Sequence, residues 1–358
     1  QRRWLSTAQY CLLLCSMSDK DVLFMKRAFA LALLGMGKVA PNPLVGCVIV
    51  KNGKIIGEGF HQAYGAAHAE VNAIKNATTE IAGATVYVTL EPCAHYGKTP
   101  PCADLLIAKK VARVVMASQD PFEAVNGAGI KRLKAAGIQV EIGCMQEEGH
   151  HVNRRFFTST SKNRPYIILK WAQTQDHFVA RTDFNSKWIS NPLSRQLVHK
   201  WRSEEMGILV GYNTAKHDNP RLTTRDWQGS NPTRIVIDPR NELNEALHLF
   251  DGTQKTLVFT QFPKKSRKNI TYHTLDSADP ITAILDQLHQ LNIQSILVEG
   301  GTHTIEKFLS LNLWDEARIF TSPQKFSRGI QAPKMVALPH QSTQISNDTL
   351  TTYYNEHN

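Results

Sequence analysis

The chain has 358 residues, of which 42% are hydrophobic and 20% are charged, and its formal net charge is +10. This composition is ordinary for a globular protein, and no apolar run approaches the roughly 20 residues that cross a bilayer. The positive charge favours anionic partners, which include phosphorylated small molecules, nucleic acid and acidic membranes, without choosing between them.

Residues 1–16 differ from the rest of the chain. They contain Arg2 and Arg3, no acidic residue, and only a short apolar stretch at 10–15. An apolar core this short matches a secretory signal peptide weakly, and the six cysteines do not have the spacing of a disulfide framework. We therefore interpret 1–16 as a disordered extension and expect a protein of the reducing cytoplasm.

The first half alternates helical and strand patterns. Helical periodicity is found at 22–35, 68–75, 101–108 and 130–136. Strand patterns are found at 45–50, 54–59, 84–89, 111–117 and 139–142. The alternation predicts an α/β domain with helices on both faces of its sheet.

A polar segment at 153–163, with several Ser and Thr residues, separates this half from the next. After it, strand patterns lie at 166–170, 207–210, 234–237, 256–259 and 295–299. Helical patterns lie at 193–203, 281–291 and 304–309. We predict a first domain at 17–155 and a second at 162–358. Because no internal repeat joins the halves, we expect them to carry out different chemistry.

A candidate metal site is formed by His68, Cys93 and Cys102. One histidine and two cysteines are a zinc ligand set that leaves the fourth position for water, which is acidified to a pKa of about 7. Glu70 follows the histidine by two residues and can move a proton from this water to a leaving amine. A His-x-Glu pair with Pro-Cys motifs is typical of zinc deaminases. Both cysteines are also predicted to precede helices, whose N-termini favour thiolates.

Each part of this pattern has a simpler explanation when it is taken alone. A His-x-Glu pair is common, and two cysteines nine residues apart can be buried core thiols. Their joint occurrence, with a proline before each cysteine, favours the zinc site. Cys47, which lies in an apolar run, and Cys144 are predicted to be core residues.

These residues resemble the cytidine deaminase superfamily and, within it, the bifunctional RibD family of riboflavin biosynthesis. Eight residues separate Cys93 from Cys102, where nucleoside and tRNA deaminases usually have two. The motif Pro-Asn-Pro-Leu-Val-Gly at 41–46 also matches this family, as does the second half that follows. The resemblance covers roughly residues 18–355. It implies a cytidine-deaminase-like α/β/α domain followed by a dihydrofolate-reductase-like α/β domain.

For the first domain, the resemblance implies zinc-dependent deamination of 2,5-diamino-6-(5-phosphoribosylamino)pyrimidin-4(3H)-one, with release of ammonia. It assigns Asn42 and His61 to the substrate and Lys98 to the substrate's phosphate, for which lysine is a suitable point charge. Alternatives stay open for all three residues. Asn42 can be a turn residue before proline, and His61 and Lys98 can be structural.

For the second domain, the resemblance rests on motifs that include 164–166, Lys170, 186–190, 211–214, 218–222, 237–239 and 298–301. It implies that NADPH reduces the ribosyl group of 5-amino-6-(5-phosphoribosylamino)uracil to ribityl, by hydride transfer to C1 of the opened sugar. The substrate is assigned to Ser186, Arg202, Leu222, Arg225 and Glu299. The cofactor is assigned to Gln173, Trp188, Thr214, Asp218, Gly300 and Gly301.

The chemistry of these residues agrees with those assignments. Gly300 and Gly301 lie between a strand and a helix, where bare backbone and a helix N-terminus can cradle a phosphate. Arg202 and Arg225 can hold the substrate phosphate through bidentate contacts. Many family members have Asp-Gly where this chain has Asp176 and His177, which predicts a differently shaped loop near Gln173. No residue of this half is identified as a proton donor.

The predicted partner is a phosphorylated pyrimidine, with no nucleic acid and no membrane, and we expect a homo-oligomer. Three alternatives are considered. A nucleic-acid deaminase would use the positive charge for backbone affinity, but it needs no reductase half. A zinc module without activity would not need Glu70. A chain with an inactive reductase would not need Lys170, Asp218 and Glu299.

Overall fold

In a computed structural model, the protein is described for residues 17–94, 100–121, 126–186, 189–276 and 279–356. The predicted extension at 1–16 lies outside these residues. The chain divides into two compact units, the first ending at Ser161 and the second beginning at Lys162. Among the described residues, no helix combines the length and the apolar composition that crossing a membrane requires.

The first unit contains a five-stranded sheet of order β2-β1-β3-β4-β5. Its strands are β1 (Gly46–Lys51), β2 (Lys54–Phe60), β3 (Thr85–Leu90), β4 (Arg113–Ser118) and β5 (Gln139–Ile142). Strand β1 is antiparallel to β2 and β3, whereas β3, β4 and β5 are parallel. The predicted strands are confirmed, with ends that shift by one or two residues.

Six helices of four residues or more accompany this sheet in the described part of the first unit. They are α1 (Asp19–Ala32), α2 (Ala69–Lys75), α3 (Cys102–Ala108), α4 (Ala128–Ala135), α5 (Gln146–Val152) and α6 (Arg154–Lys162). Helix α1 begins at Asp19 because Ser18 and Asp21 form a capping box, in which each side chain accepts the other residue's backbone N–H.

Alternate side chains of the strands bury two separate apolar clusters, as the two-residue period of a strand requires. One cluster joins Ile49, Val86 and Val114 to helices α2, α3 and α4. The other joins Val48 and Val115 to α1 and the end of α5. The sheet therefore has helices on both faces, which confirms the predicted α/β/α arrangement.

The polar segment that was predicted to separate the domains is mostly helical. Helix α6 covers Arg154–Lys162 and packs within the first unit up to Ser161. This helix was not predicted from the sequence, although the division between the two units falls within the polar segment, as expected. The two buried residues of the helix, Thr158 and Ser159, are polar, and its apolar positions are too few to give a clear period.

The second unit contains a nine-stranded sheet of order β11-β10-β9-β8-β12-β6-β13-β16-β15. These strands are β6 (Tyr166–Thr174), β8 (Gly207–Gly211), β9 (Thr233–Ile237), β10 (Thr256–Thr260), β11 (Ile270–Thr274), β12 (Ser295–Val298), β13 (Glu316–Ser322), β15 (Gln341–Ile345) and β16 (Asp348–Tyr354). A small hairpin pairs β7 (Phe178–Ala180) with β14 (Ile330–Gln331). Neighbouring strands are parallel from β11 through to β13 in this order. Strand β16 then pairs with β13, and β15 with β16, in antiparallel fashion.

Four helices cover the described part of this sheet. They are α7 (Pro192–Glu204), α8 (Tyr212–Asp218), α9 (Pro280–Gln290) and α10 (Thr302–Ser310). Helices α9 and α10 pack with Leu209 and Val298 on one face, and α7 and α8 pack with side chains of the other face. This doubly covered, mostly parallel sheet confirms the predicted class of the second half.

Candidate active sites

In the first unit, the three predicted metal ligands meet at the ends of secondary structure elements. His68 is the N-cap of α2, Cys102 is the first residue of α3, and Cys93 follows β3 in a loop. The Nδ1 atom of His68 lies 3.6 Å from the Cys93 sulfur and 3.4 Å from the Cys102 sulfur. All three ligand atoms lie within 4.8 Å of one another.

The helix ends supply polarity that suits thiolates. The Cys102 backbone N–H, at the start of α3, donates to the Cys93 sulfur over 3.3 Å. A hydrogen bond from Cys102 and a second from His68 lower the pKa of the Cys93 thiol, against the effect of burial. The prediction that each cysteine precedes a helix is confirmed for Cys102, at the start of α3, whereas residues 95–99, shortly after Cys93, lie outside the described residues. The Cys93 sulfur lies at the N-terminus of α3, where it accepts the Cys102 backbone N–H.

Glu70 lies on the first turn of α2 and is 3% exposed. Burial, and then the charge of Cys93, raise the pKa of its carboxyl to about 7, while His68 opposes the shift. A bound cation would act with His68 and favour the carboxylate. A carboxyl whose pKa lies near neutrality can both accept and return a proton.

The other two described residues assigned to the first substrate are close to this cluster. His61 is 3% exposed and its ring centroid lies 5.8 Å from that of His68. Its Nδ1 lies 3.0 Å from the Ala67 carbonyl, and its Nε2 lies 3.1 Å from Nδ2 of Asn42. Burial lowers the pKa of His61, so a neutral ring donates from Nδ1 and accepts from Asn42 at Nε2. Lys98 lies outside the described residues.

One supporting residue was missed by the sequence analysis. Glu91 is 4% exposed and lies two residues before Cys93. Its carboxylate accepts hydrogen bonds from four backbone N–H groups, those of Asp120, Gly127, Gly129 and Ile130. A side chain at Gly129 would collide with the carbonyl of Pro92. Glu91 thus fastens the Cys93 loop to the start of α4, and the Glu-Pro-Cys order was its only sequence signal.

The remaining cysteine predictions concern the core. Cys47 has no exposed surface and lies in the cluster beside α2, and Cys144 is 1% exposed beside α1. Burial raises the pKa of both thiols, so they are poor nucleophiles and poor metal ligands. Their prediction as core residues is confirmed.

In the second unit, a cavity of about 1220 Å³ opens at the carboxyl ends of the parallel strands. It is lined by Lys170 of β6, Gly211 of β8, Ile237 of β9 and Glu299 after β12. Ligands of open α/β sheets bind at this edge, where neighbouring connections diverge to opposite faces. The cavity exceeds the range of about 300–1,000 Å³ that is common for one small ligand, so it has room for a substrate and a cofactor.

A buried charge cluster forms the floor of this cavity. Arg202 holds Glu299 through two hydrogen bonds of 2.8 and 2.9 Å, and the Lys170 Nζ lies 3.7 Å from the same carboxylate. Burial lowers the pKa of Lys170. Burial opposes ionisation of Glu299 as well, but Arg202 and Lys170 lower its pKa to about 2. The carboxylate therefore stays charged between two cations.

Arg202 is already paired within this cluster. Its Nε and Nη2 atoms bind Glu299, and its Nη1 donates to the Thr223 carbonyl at 3.1 Å. Glu299 therefore occupies the Nε–Nη2 edge of this arginine, one of the two edges that can bind a phosphate. Arg225 differs, because its side chain is 49% exposed and its nearest carboxylate, Asp226, is 3.9 Å away.

Most other residues predicted for this site also line the cavity. Ser186 donates to Asp218 over 3.3 Å, and Thr214 accepts the Gly301 N–H at 2.7 Å. Leu222 is buried, lines the cavity and has a left-handed backbone with φ 53°. Trp188 lies outside the described residues.

Two of the predicted cofactor residues do not line the cavity. Gly300 is buried beneath it, against the backbone of Val210 and Gly211, where no side chain would fit. Gln173 bonds to Trp171 and lies 3.1 Å from His177 Nδ1. His177 has φ 62°, the left-handed conformation that glycine favours. The replacement of glycine by His177 is therefore compatible with a glycine-like turn.

A second residue missed from the sequence is His199 on α7. It is 3% exposed, lines the cavity, and its Nε2 lies 3.1 Å from the Asp226 carboxylate. Burial, then Arg202 and Arg225, lower its pKa. No motif marked this histidine, since its partner lies 27 residues away in an irregular loop.

The residues present fit both expected cofactors. One nitrogen and two sulfur ligands beside a buried carboxyl are a suitable donor set for zinc with one open position. Helix α10 begins directly after Gly301, and its first residues line the cavity. Its free N-terminal amides and the glycine backbone fit the phosphates of a dinucleotide.

Comparisons with known proteins agree with this division of the chain. Residues 18–118 match the cytidine and deoxycytidylate deaminase zinc-binding region, and residues 165–342 match the RibD C-terminal domain. The chain is 40% identical over 319 residues to the riboflavin biosynthesis protein RibD of Aquifex aeolicus, covering 87% of this chain and 89% of that protein. It is 37% identical to RibD of Escherichia coli, covering 89% and 92%.

A solved structure is similar over both units. The crystal structure of a diaminohydroxyphosphoribosylaminopyrimidine deaminase/5-amino-6-(5-phosphoribosylamino)uracil reductase from Thermotoga maritima matches with a TM-score of 0.87 at 36% identity. The match covers 94% of this chain and 98% of that one. Both halves of the chain thus have counterparts, in the same order, in one protein.

Proposed function

The chain belongs to the RibD family of riboflavin biosynthesis enzymes, and on that premise we propose how its residues divide two successive reactions. It is a bifunctional enzyme with a zinc-dependent deaminase domain and an NADPH-dependent reductase domain. The first reaction replaces the 2-amino group of 2,5-diamino-6-(5-phosphoribosylamino)pyrimidin-4(3H)-one by oxygen. The second reduces the ribosyl group of the product to ribityl. We propose that the deaminase domain extends over 17–155 and the reductase domain over 162–358.

The observation that carries the first activity is the convergence of His68, Cys93 and Cys102 beside buried Glu70. When bound there, zinc supplies the acidity that makes water a nucleophile at neutral pH. Glu70 takes the proton from this water and returns it to the departing amine, so that ammonia leaves as a neutral molecule. Asn42 and His61 orient the pyrimidine, and Lys98 reaches its phosphate.

In the second activity, NADPH supplies a hydride to C1 of the opened sugar. We place the substrate next to the cluster of Lys170, Arg202 and Glu299. In this cluster the Glu299 carboxylate is held in position by two cations, and the cavity lining as a whole has a net positive charge. Arg225 binds the phosphate, while Arg202 holds Glu299 in position. Gly301 and the start of α10, with Thr214 and Asp218, would hold the cofactor phosphates.

The finer properties of the protein follow from the same residues. We propose a homo-oligomer that binds a phosphorylated pyrimidine and no nucleic acid. The cavity has the lining of a small-molecule site, and the net charge suits a phosphorylated ligand. The four described cysteines are free thiols, which supports the proposed cytoplasmic location because zinc ligands must stay reduced.

An assay of the purified chain that follows ammonia and NADPH separately tests this function. With the diaminopyrimidine phosphate alone, ammonia release is expected without NADPH. With NADPH added, oxidation of the cofactor should follow the release of ammonia, because the deaminated compound is the substrate of reduction. If NADPH were consumed before any ammonia appeared, the proposed order of the reactions would be wrong.

A substitution at Arg225 tests the proposed phosphate contact. In Arg225→Ala, the KM for the deaminated substrate should rise about tenfold or more, because a charged hydrogen bond contributes about 1.5–3 kcal/mol. The KM for NADPH should change much less. Arg240→Ala is a suitable control, since this arginine is 76% exposed and outside the cavity lining. An effect of Arg225→Ala on NADPH alone would place the residue in the cofactor site instead.

A further inference from the structure

A buried amide holds the loop that carries Asn42. Asn153 is 2% exposed and is separated from Leu44 by 109 positions in the sequence. Its Oδ1 accepts the Leu44 N–H at 2.7 Å, and its Nδ2 donates to the Leu44 carbonyl at 2.9 Å. The side chain therefore pairs with both backbone groups of one residue, as a neighbouring strand does.

The sequence of this loop leaves few other ways to fasten it. Pro41 and Pro43 have no backbone N–H to donate. The N–H of Asn42 is used within the turn, where it donates to the Val39 carbonyl at 2.9 Å. Leu44 therefore carries the next backbone donor along the loop, and Asn153 is its acceptor.

The other end of this link is rigid. Asn153 lies between helices α5 and α6, and its backbone belongs to the hydrogen bonds of both. Its N–H donates to the Gly149 carbonyl at 3.1 Å, and its carbonyl accepts the Phe157 N–H at 2.9 Å. An amide held in this way can fix the position of Leu44 rather than follow it.

Leu44 lies two residues after Asn42, whose side chain contacts His61 beside the three predicted zinc ligands. Asn42 Nδ2 lies 3.1 Å from His61 Nε2, and the His61 ring packs against that of His68. We infer that Asn153 is a positioning residue of the deaminase, which acts through Leu44 to hold Asn42 in reach of the pyrimidine. This inference rests on the role proposed above for Asn42 as a substrate contact.

Asn153→Ala and Asn153→Asp in the full-length chain test this inference. Both should lower kcat/KM for ammonia release about 10- to 100-fold, because small displacements of a positioning group have effects of this size. Most of the loss should be in KM. Zinc content and NADPH oxidation with the deaminated substrate should not change. If the alanine variant does not fold, the aspartate variant carries the test, since it has the same shape and keeps the acceptor for the Leu44 N–H, but sets a carboxylate oxygen against the Leu44 carbonyl in place of the amide donor.

Asn76→Ala is the matched control. Asn76 also follows the last residue of a helix in the same unit, and its Nδ2 donates to the Glu58 carbonyl at 3.0 Å. Among the described residues, its hydrogen bonds do not include the Asn42 loop, and ammonia release should stay within about twofold. Equal losses in the Asn76 and Asn153 variants would overturn the inference, as would a parallel loss of NADPH oxidation.

A double-mutant cycle with Asn42→Ala separates the inference from the proposed function. If Asn153 acts through Asn42, the double variant should be no slower than Asn42→Ala alone. Losses that multiply would mean that Asn153 acts elsewhere, which overturns the inference. If Asn42→Ala has full activity, the proposed role of Asn42 is wrong and the inference falls with it. If Asn42→Ala is impaired but the Asn153 variants are not, the inference alone is wrong.

Discussion

Replacing Glu70 with glutamine is expected to lower the rate of ammonia release about 10²–10⁴-fold, the usual contribution of a general acid–base group. Glutamine keeps the size of the side chain but cannot carry a proton between the water and the amine. Glu70 is buried beside the ligand cluster, where its pKa is raised to about 7 by burial and by Cys93. Its carboxyl is close enough to Cys102 for a hydrogen bond and to Cys93 for a direct effect of charge.

The same variant should keep its zinc and its reductase activity. Metal analysis of Glu70→Gln should match the wild type, and the variant should oxidise NADPH when it is given the deaminated substrate. Cys93→Ser is the contrasting variant, because it should lose most of the zinc as well as ammonia release. Ammonia release by Glu70→Gln within about threefold of the wild-type rate would show that another group moves the proton. Full zinc occupancy in Cys93→Ser would disprove the ligand assignment.

Replacing Glu299 with glutamine is expected to abolish most NADPH oxidation and to destabilise the second unit by about 3–5 kcal/mol, the cost of removing one partner from a buried ion pair. The substitution leaves Arg202 and Lys170 buried without their shared counter-charge. Because Glu299 supports the charged form of Lys170 against burial, its loss should lower the pKa of this lysine further.

Urea unfolding followed by tryptophan fluorescence measures this effect. Five of the six tryptophans, all except Trp4, belong to the second unit. Glu242→Gln is the matched control, because its ion pair with Arg240 is exposed and 4.0 Å long. It should change stability by less than about 1 kcal/mol. Ammonia release should be normal in both variants. A Glu299→Gln protein with wild-type stability and wild-type NADPH oxidation would refute the structural and catalytic importance of the cluster.

The zinc site illustrates what could be predicted from neighbouring residues in the chain. His68 and Glu70 lie two positions apart at a predicted helix start, and each cysteine follows a proline. These features are short-range, and the residue types allow few chemistries. The five strands and four of the helices of the first half were predictable for the same reason, since burial of one face imposes a period on the sequence, whereas α5 was not predicted.

The supporting residues could not be predicted in this way. Asn153, Glu91 and His199 depend on partners from 27 to 109 positions away. A polar residue in a sequence has no feature that tells a solvent-exposed side chain from a buried and fully bonded one. Helix α6 was missed for a related reason, because its few apolar positions gave no clear period over nine residues.

Arg202 shows where prediction from the sequence ends and where the tertiary structure is needed. Its residue type and the family resemblance correctly place it in the cavity of the second unit. Its partner there is Glu299, which lies 97 positions away and occupies the Nε–Nη2 edge of the guanidinium. The sequence by itself predicted the two-part α/β organisation, the candidate zinc ligands and the carboxyl proposed to move the proton, because these follow from local periods and residue chemistry. Only the tertiary structure decided which polar groups are already paired, because a buried charge binds the partner that folding brings to it.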